Sequence, residues 1–199
     1  MKKILCLILT ITLVICFVSC GKEKQENKNT IDLEYYAKLG KMPEAKYCLG
    51  ENPQTVIDGL DGILEQEEAE HKEDPNHEHG HDEQEFYFEV VTGEKNVLLD
   101  NGNICYYYNK ENESNGISCI VSYDSAFGFP IGTLILDVQD AISEFEPYEE
   151  PLTAENAFFA DYVIDGTVLK AELNDATFVF VFQENALFAT AIYNENWNG

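Results

Sequence analysis

Eight short β segments, falling four and four behind two helical stripes, limit what this 199-residue chain can fold into. Asn52-Pro53 reads as a helix start. The Asn52 side chain can accept from first-turn amides, and Pro53 suits the first helical position, where no donor is needed. Val56, Ile57, Leu60, Ile63 and Leu64 then form one apolar stripe. This helix is expected to dissolve into an acidic, histidine-rich stretch at 65–85. Apolar alternation then predicts strands at 86–91, 97–99, 104–109 and 117–123, with turn signals at Thr92-Gly93, Asp100-Asn101-Gly102 and Asn115-Gly116. The pattern begins again at Ile131-Gly132. A helix over 136–145 and a proline-bearing loop over 146–157 precede strands at 161–165, 168–173, 177–182 and 186–193. A further short helix over 31–41 opens the ordered region.

The two halves match in spacing. Gly50 is followed by Val56, Leu60 and Ile63, and Gly132 by Val138, Ile142 and Phe145, at the same offsets. The expected fold class is therefore α+β, as two tandem repeats (31–130 and 131–199), each a helix packed on an antiparallel four-stranded sheet. The motifs Leu49-Gly50 with Val56, and Ile131-Gly132 with Val138, resemble the secreted β-lactamase-inhibitor-protein fold. Small outer-membrane-assembly lipoproteins carry one related copy. Cystatin-like and other helix-on-sheet folds are similar enough to stand as alternatives. The resemblance implies a binding module without catalysis, gripping a partner on a concave sheet surface. No inhibitory residue carries over.

The first twenty-one residues read as an address. Met1-Lys2-Lys3 is basic, residues 4–18 are apolar apart from Thr10 and Thr12, and Phe17-Val18-Ser19-Cys20-Gly21 closes the run with small residues around a cysteine. This is the layout of a bacterial signal peptide over 1–19. The closing residues resemble a lipobox, in which Cys20 is lipidated and anchors the chain to the membrane, although Phe17 stands where leucine is usual. Residues 20–30 are polar and read as a disordered tether. The expected location is extracytoplasmic, on the bacterial cell membrane.

Charge narrows the partners. The chain has 12 lysines, no arginine and 37 acids, a formal charge of −25. Without clustered Lys/Arg there is no footprint for nucleic acid. All four histidines, His71, His77, His79 and His81, lie in the acidic stretch. In an extended segment the last three would face one way, and imidazoles with neighbouring carboxylates suit zinc or another divalent ion. The stretch is similar to the histidine-and-acid loops of zinc-uptake lipoproteins, so metal capture is the alternative function. The other reading is a solvated acidic loop.

After the signal, Cys20, Cys48, Cys105 and Cys119 remain. Pairing Ile104 with Ile120 would set Cys105 opposite Cys119, which leaves either a cross-strand disulfide or two buried thiols. Tyr106 and Tyr108 mark an aromatic strand. They are the expected partner surface if one sheet face is exposed, and core if the halves bury it. There is no Gly-x-Ser-x-Gly or phosphate-loop motif. With every histidine in one stretch, a rigid nucleophile–base pair is hard to build, so no enzymatic activity is expected.

Overall fold

A computed structural model of the chain describes residues 31–73, 87–153, 156 and 165–197. Helix α1 (Leu33–Leu39) is shorter than the expected 31–41. It begins where Asp32 accepts from the Tyr35 N–H at 2.9 Å, and it stops at Gly40, which adopts a left-handed φ of 57°. Helix α2 (Pro53–Glu73) starts as the sequence predicts, with Asn52 Oδ1 accepting from the Gln54 N–H at 2.8 Å. It does not dissolve at residue 65. Glu, Gln, Ala and Lys dominate its second half, and these are strong helix formers, so the charge run sustains the helix through Glu73. Helix α3 (Ile135–Ala141) passes through a single 3₁₀ turn (Ser143–Phe145) and ends at Glu146, with φ of 50°.

The strands are β1 (Glu89–Thr92), β2 (Asn96–Asp100), β3 (Ile104–Asn109), β4 (Ile117–Ser122), β5 (Tyr148–Pro151), β6 (Thr167–Leu173), β7 (Ala176–Gln183) and β8 (Ala186–Asn194). The α+β class holds, but the expected pair of four-stranded sheets is corrected. All eight strands form one antiparallel sheet in the order β1-β2-β3-β4-β8-β7-β6-β5. Strand β4 pairs with β8 through Ile120 against Ile192 and Val121 against Ala191. Two separate sheets would each have left an open edge here, and pairing the last strand of each meander removes both.

β5 lies in the stretch read as loop. Pro147 and Pro151 argued against a strand, yet proline is tolerated at a sheet edge, and β5 is an edge. The strand expected at 161–165 is not found at its described end: Asp165 sits in a bend with φ of 55°. Residues 161–164 lie outside the described residues.

The two glycines that open the halves make matching contacts. Gly50 N–H donates to Ile117 O (2.8 Å), and Ile117 N–H donates to Glu51 O (2.9 Å). Gly132 N–H donates to Leu187 O (2.8 Å), and Leu187 N–H donates to Thr133 O (2.8 Å). Each glycine has φ near the left-handed range, +80° and +91°, and leads into a helical segment that buries Val56 and Leu60 or Val138 and Ile142. Both loops thus clip on to the start of a central strand.

The helices cover one face of the sheet. Leu33, Val56, Leu60, Val138 and Ile142 pack there with Leu99, Ile120, Phe178, Phe180, Phe182 and Ile192. Phe127 and Phe129, from the segment before α3, close the layer edge-on against Phe180 at 6.1 and 5.9 Å. The opposite face carries a second, smaller apolar layer: Cys105, Tyr107, Cys119, Val121, Val168, Val179, Val181, Ala189 and Ala191.

Candidate functional site

Tyr106 and Tyr108 do not form a surface. They are 1% and 8% exposed, on the helix-covered face. The Tyr106 phenol accepts from the Lys46 N–H at 3.0 Å, and its ring meets Tyr47 edge-on at 5.7 Å. The alternation of the aromatic strand was legible, but not which face the helices cover. Cys105 and Cys119 are free thiols, and so is the half-buried Cys48. The register is two residues from the one expected: Cys105 lies opposite Val121, and Cys119 opposite Tyr107. The cysteines share a face diagonally, and both are buried. Burial pushes both thiols well up, and for Cys105 the nearby Asp100, which accepts its Sγ–H at 3.3 Å, pushes the same way. Neither has the thiolate character that reactivity needs.

Of the histidines, His71 lies in the last turns of α2, with its side chain outside the described part. His77, His79 and His81 lie outside the described residues, as does Cys20. Among the described residues no group of three or more His, Cys, Asp or Glu is arranged to hold a metal. Among them, too, no helix is long and apolar enough to cross a membrane.

A different constellation appears on the sheet face away from the helices. Lys170 sits in β6 with Val168 on that face, and is 9% exposed. Its Nζ lies 2.8 Å from Glu150 Oε2 on the neighbouring edge strand β5. Asn156 Nδ2 donates to the same oxygen at 3.2 Å and to Pro151 O at 2.9 Å, while its Oδ1 accepts from the Thr153 N–H at 2.8 Å. The amide therefore clamps the turn after β5 and holds the carboxylate toward Lys170. The lysine bond, then the Asn156 bond, keep the Glu150 carboxyl below its ordinary value against the opposing effect of desolvation. The stabilisation this brings is present above the ordinary carboxylate pKa and fades as pH falls through the lowered one.

Beside the pair lie Tyr193, at the end of β8, and Trp197. Their rings are 6.5 Å apart and tilted by 32°, and Trp197 also meets Tyr107 edge-on at 5.6 Å. Burial raises the Tyr193 phenol, and the Lys170 charge and a Thr177 hydrogen bond oppose that rise. Together these side chains line a cleft of about 530 Å³, within the roughly 300–1,000 Å³ of ordinary small-molecule sites. Its walls combine an ion pair of a buried lysine with a partly exposed carboxylate, an amide and two amphipathic aromatic rings.

None of these residues was singled out from the sequence. Two signals were there to read. Lys170 is the single lysine after Lys110 and interrupts an apolar strand, and Trp197 is the single tryptophan. No spacing rule links positions 150, 170 and 197. No family model, no curated protein and no solved structure matches the chain.

Proposed function

We propose that this chain is a lipid-anchored extracytoplasmic binding module, without catalysis of its own, whose recognition site is the cleft at Glu150, Lys170, Tyr193 and Trp197. The observation that carries this reading is the ion pair. Burying the Lys170 ammonium beside a carboxylate that keeps contact with water is costly, and a well-packed apolar residue would serve the fold as well or better. Here the pair opens on to a cleft with aromatic walls, the usual composition of a ligand site. Anchorage rests on the residues around Cys20. The matched glycine contacts to β4 and β8 support descent of the two halves from one helix-on-sheet unit, in the manner of the β-lactamase-inhibitor-protein fold.

Anchorage is tested by fractionation. Cys20→Ala is expected to move the chain from the membrane to the soluble fraction, and continued membrane retention would remove the lipid from the account. The site is tested by screening the full chain against a small-molecule library of mixed charge, with zinc included. Saturable binding that Lys170→Met abolishes supports the cleft. If the sole saturable ligand is zinc, and combined His77→Ala, His79→Ala and His81→Ala changes abolish it, metal capture replaces the cleft as the function. A library with no saturable member overturns the cleft reading.

A further inference from the structure

Resting on that reading of the cleft, we propose that its ligand is a neutral polyhydroxylated ring, a sugar unit of a glycan, rather than a charged metabolite. The argument starts from charge. Lys170 and Glu150 neutralise one another at 2.8 Å, so the cleft presents polar groups without net charge. A carboxylate ligand reaching Lys170's remaining donors would lie against the Glu150 carboxylate at 2.8 Å from the same ammonium, and would approach a chain of net charge −25. An amine ligand would compete for Glu150 and strand a lysine that is nine-tenths buried. Breaking such a pair leaves an uncompensated charge out of water, which is strongly unfavourable. A neutral ligand leaves the pair intact.

The hydrogen-bonding inventory points the same way. An ammonium has three donors. Among the described residues Glu150 takes one of Lys170's, so two remain for the cleft. Asn156 and Lys170 both bond to Oε2 of Glu150, which among the described residues leaves Oε1 as an acceptor. A matching ligand must offer acceptors and donors a few ångströms apart. Neighbouring hydroxyls do both, since each carries one donor and two lone pairs. The remaining wall is aromatic. The tilted Tyr193 and Trp197 rings provide an apolar shelf of the kind on which the C–H face of a pyranose lies, while its hydroxyl edge meets the ion pair.

Trp197 is the chain's single tryptophan and lines the cleft, so its fluorescence reports occupancy directly. The full chain is titrated with methyl glucoside, N-acetylglucosamine and their short oligomers. Acetate and butylamine serve as charged probes. The expected result is a saturable change with a neutral sugar, altered less than about twofold between low and high salt because the ligand bears no charge. Lys170→Met is expected to weaken it at least about tenfold, the worth of a hydrogen bond from a charged donor. Lys170→Gln, which keeps donors without charge, should lose less. Near-ultraviolet circular dichroism checks that both variants fold, and the comparison of probe classes on the unaltered chain does not depend on them. Silent sugars beside saturating acetate or butylamine would overturn the sugar while leaving the cleft as a site. Undiminished sugar binding in a folded Lys170→Met chain would also overturn it. Silence of all three classes would overturn both the sugar and the cleft.

Discussion

Replacing Gly116 with alanine will lower stability by about 3–5 kcal/mol, a large share of the ~5–15 kcal/mol that holds a typical domain together. Two effects add. Gly116 has φ 74° and ψ −164°, a conformation essentially restricted to glycine. A Cβ there would also run into the backbone of Gly50 and stand 2.7 Å from Glu51 O. That is the loop whose amide and carbonyl clip on to Ile117. The obstructing atoms are backbone, so no side chain can swing aside, and the clip itself has to open. Gly132→Ala is the control. It has a positive φ of 91°, but its Cβ would meet nothing within 4 Å, so strain alone costs it about 1 kcal/mol. Urea unfolding should show a much lower midpoint for Gly116→Ala at an unchanged slope. Equal losses for the two variants would mean that the Gly50–Ile117 clip contributes little.

Phe180→Ala is expected to cost about 3–5 kcal/mol, the usual loss for a fully buried phenylalanine, and to lower Tm by about 10 °C for a chain of this length. Phe180 has no exposed surface and lies edge-on to Phe127 and Phe129. Phe127 in turn meets Phe178 at 5.4 Å and Tyr36 of α1 at 5.2 Å. These rings form the seam that fastens α1 and the segment before α3 to the middle of the sheet. Removing Phe180 leaves a cavity beneath Phe127, whose backbone already has φ of 54° and cannot slump freely into it. Calorimetric unfolding measures the effect. A loss near 1 kcal/mol would show that the seam can collapse around the gap.

The residues announced some of this architecture and concealed the rest, for physical reasons. Helix starts were legible because capping is local: Asn52 and Pro53 act on amides a few positions away. Strands β3, β4, β6, β7 and β8 were legible as apolar and aromatic runs between turn signals such as Asn174 and Glu184-Asn185, which do adopt positive φ. β5 was missed because proline rules differ at a sheet edge, and the length of α2 because a charge run satisfies helix propensity and loop composition alike. The single sheet was hidden for a different reason. Strands buried on both faces read as continuous apolar runs, so nothing in β4 or β8 names its partner. The same ambiguity misdirected Tyr106 and Tyr108, and the register of Cys105 against Cys119. The cleft was out of reach because its residues meet only after β5, β6 and the turn beyond β8 have been assembled.

The position of β8 sets an order of events during synthesis. It follows the other seven described strands along the chain, yet it lies at the centre of the sheet, between β4 and β7. Until residues 186–194 have been made, β4 has no neighbour on one side, and both β4 and β7 offer bare apolar edges to any other chain. Contacts that close over so long a stretch of sequence are slow to form, and the waiting strands are prone to aggregate. The first half therefore cannot finish folding while the second is still being translated. The nascent chain stays open until β8 has emerged, the state in which a holding chaperone can still take hold of it.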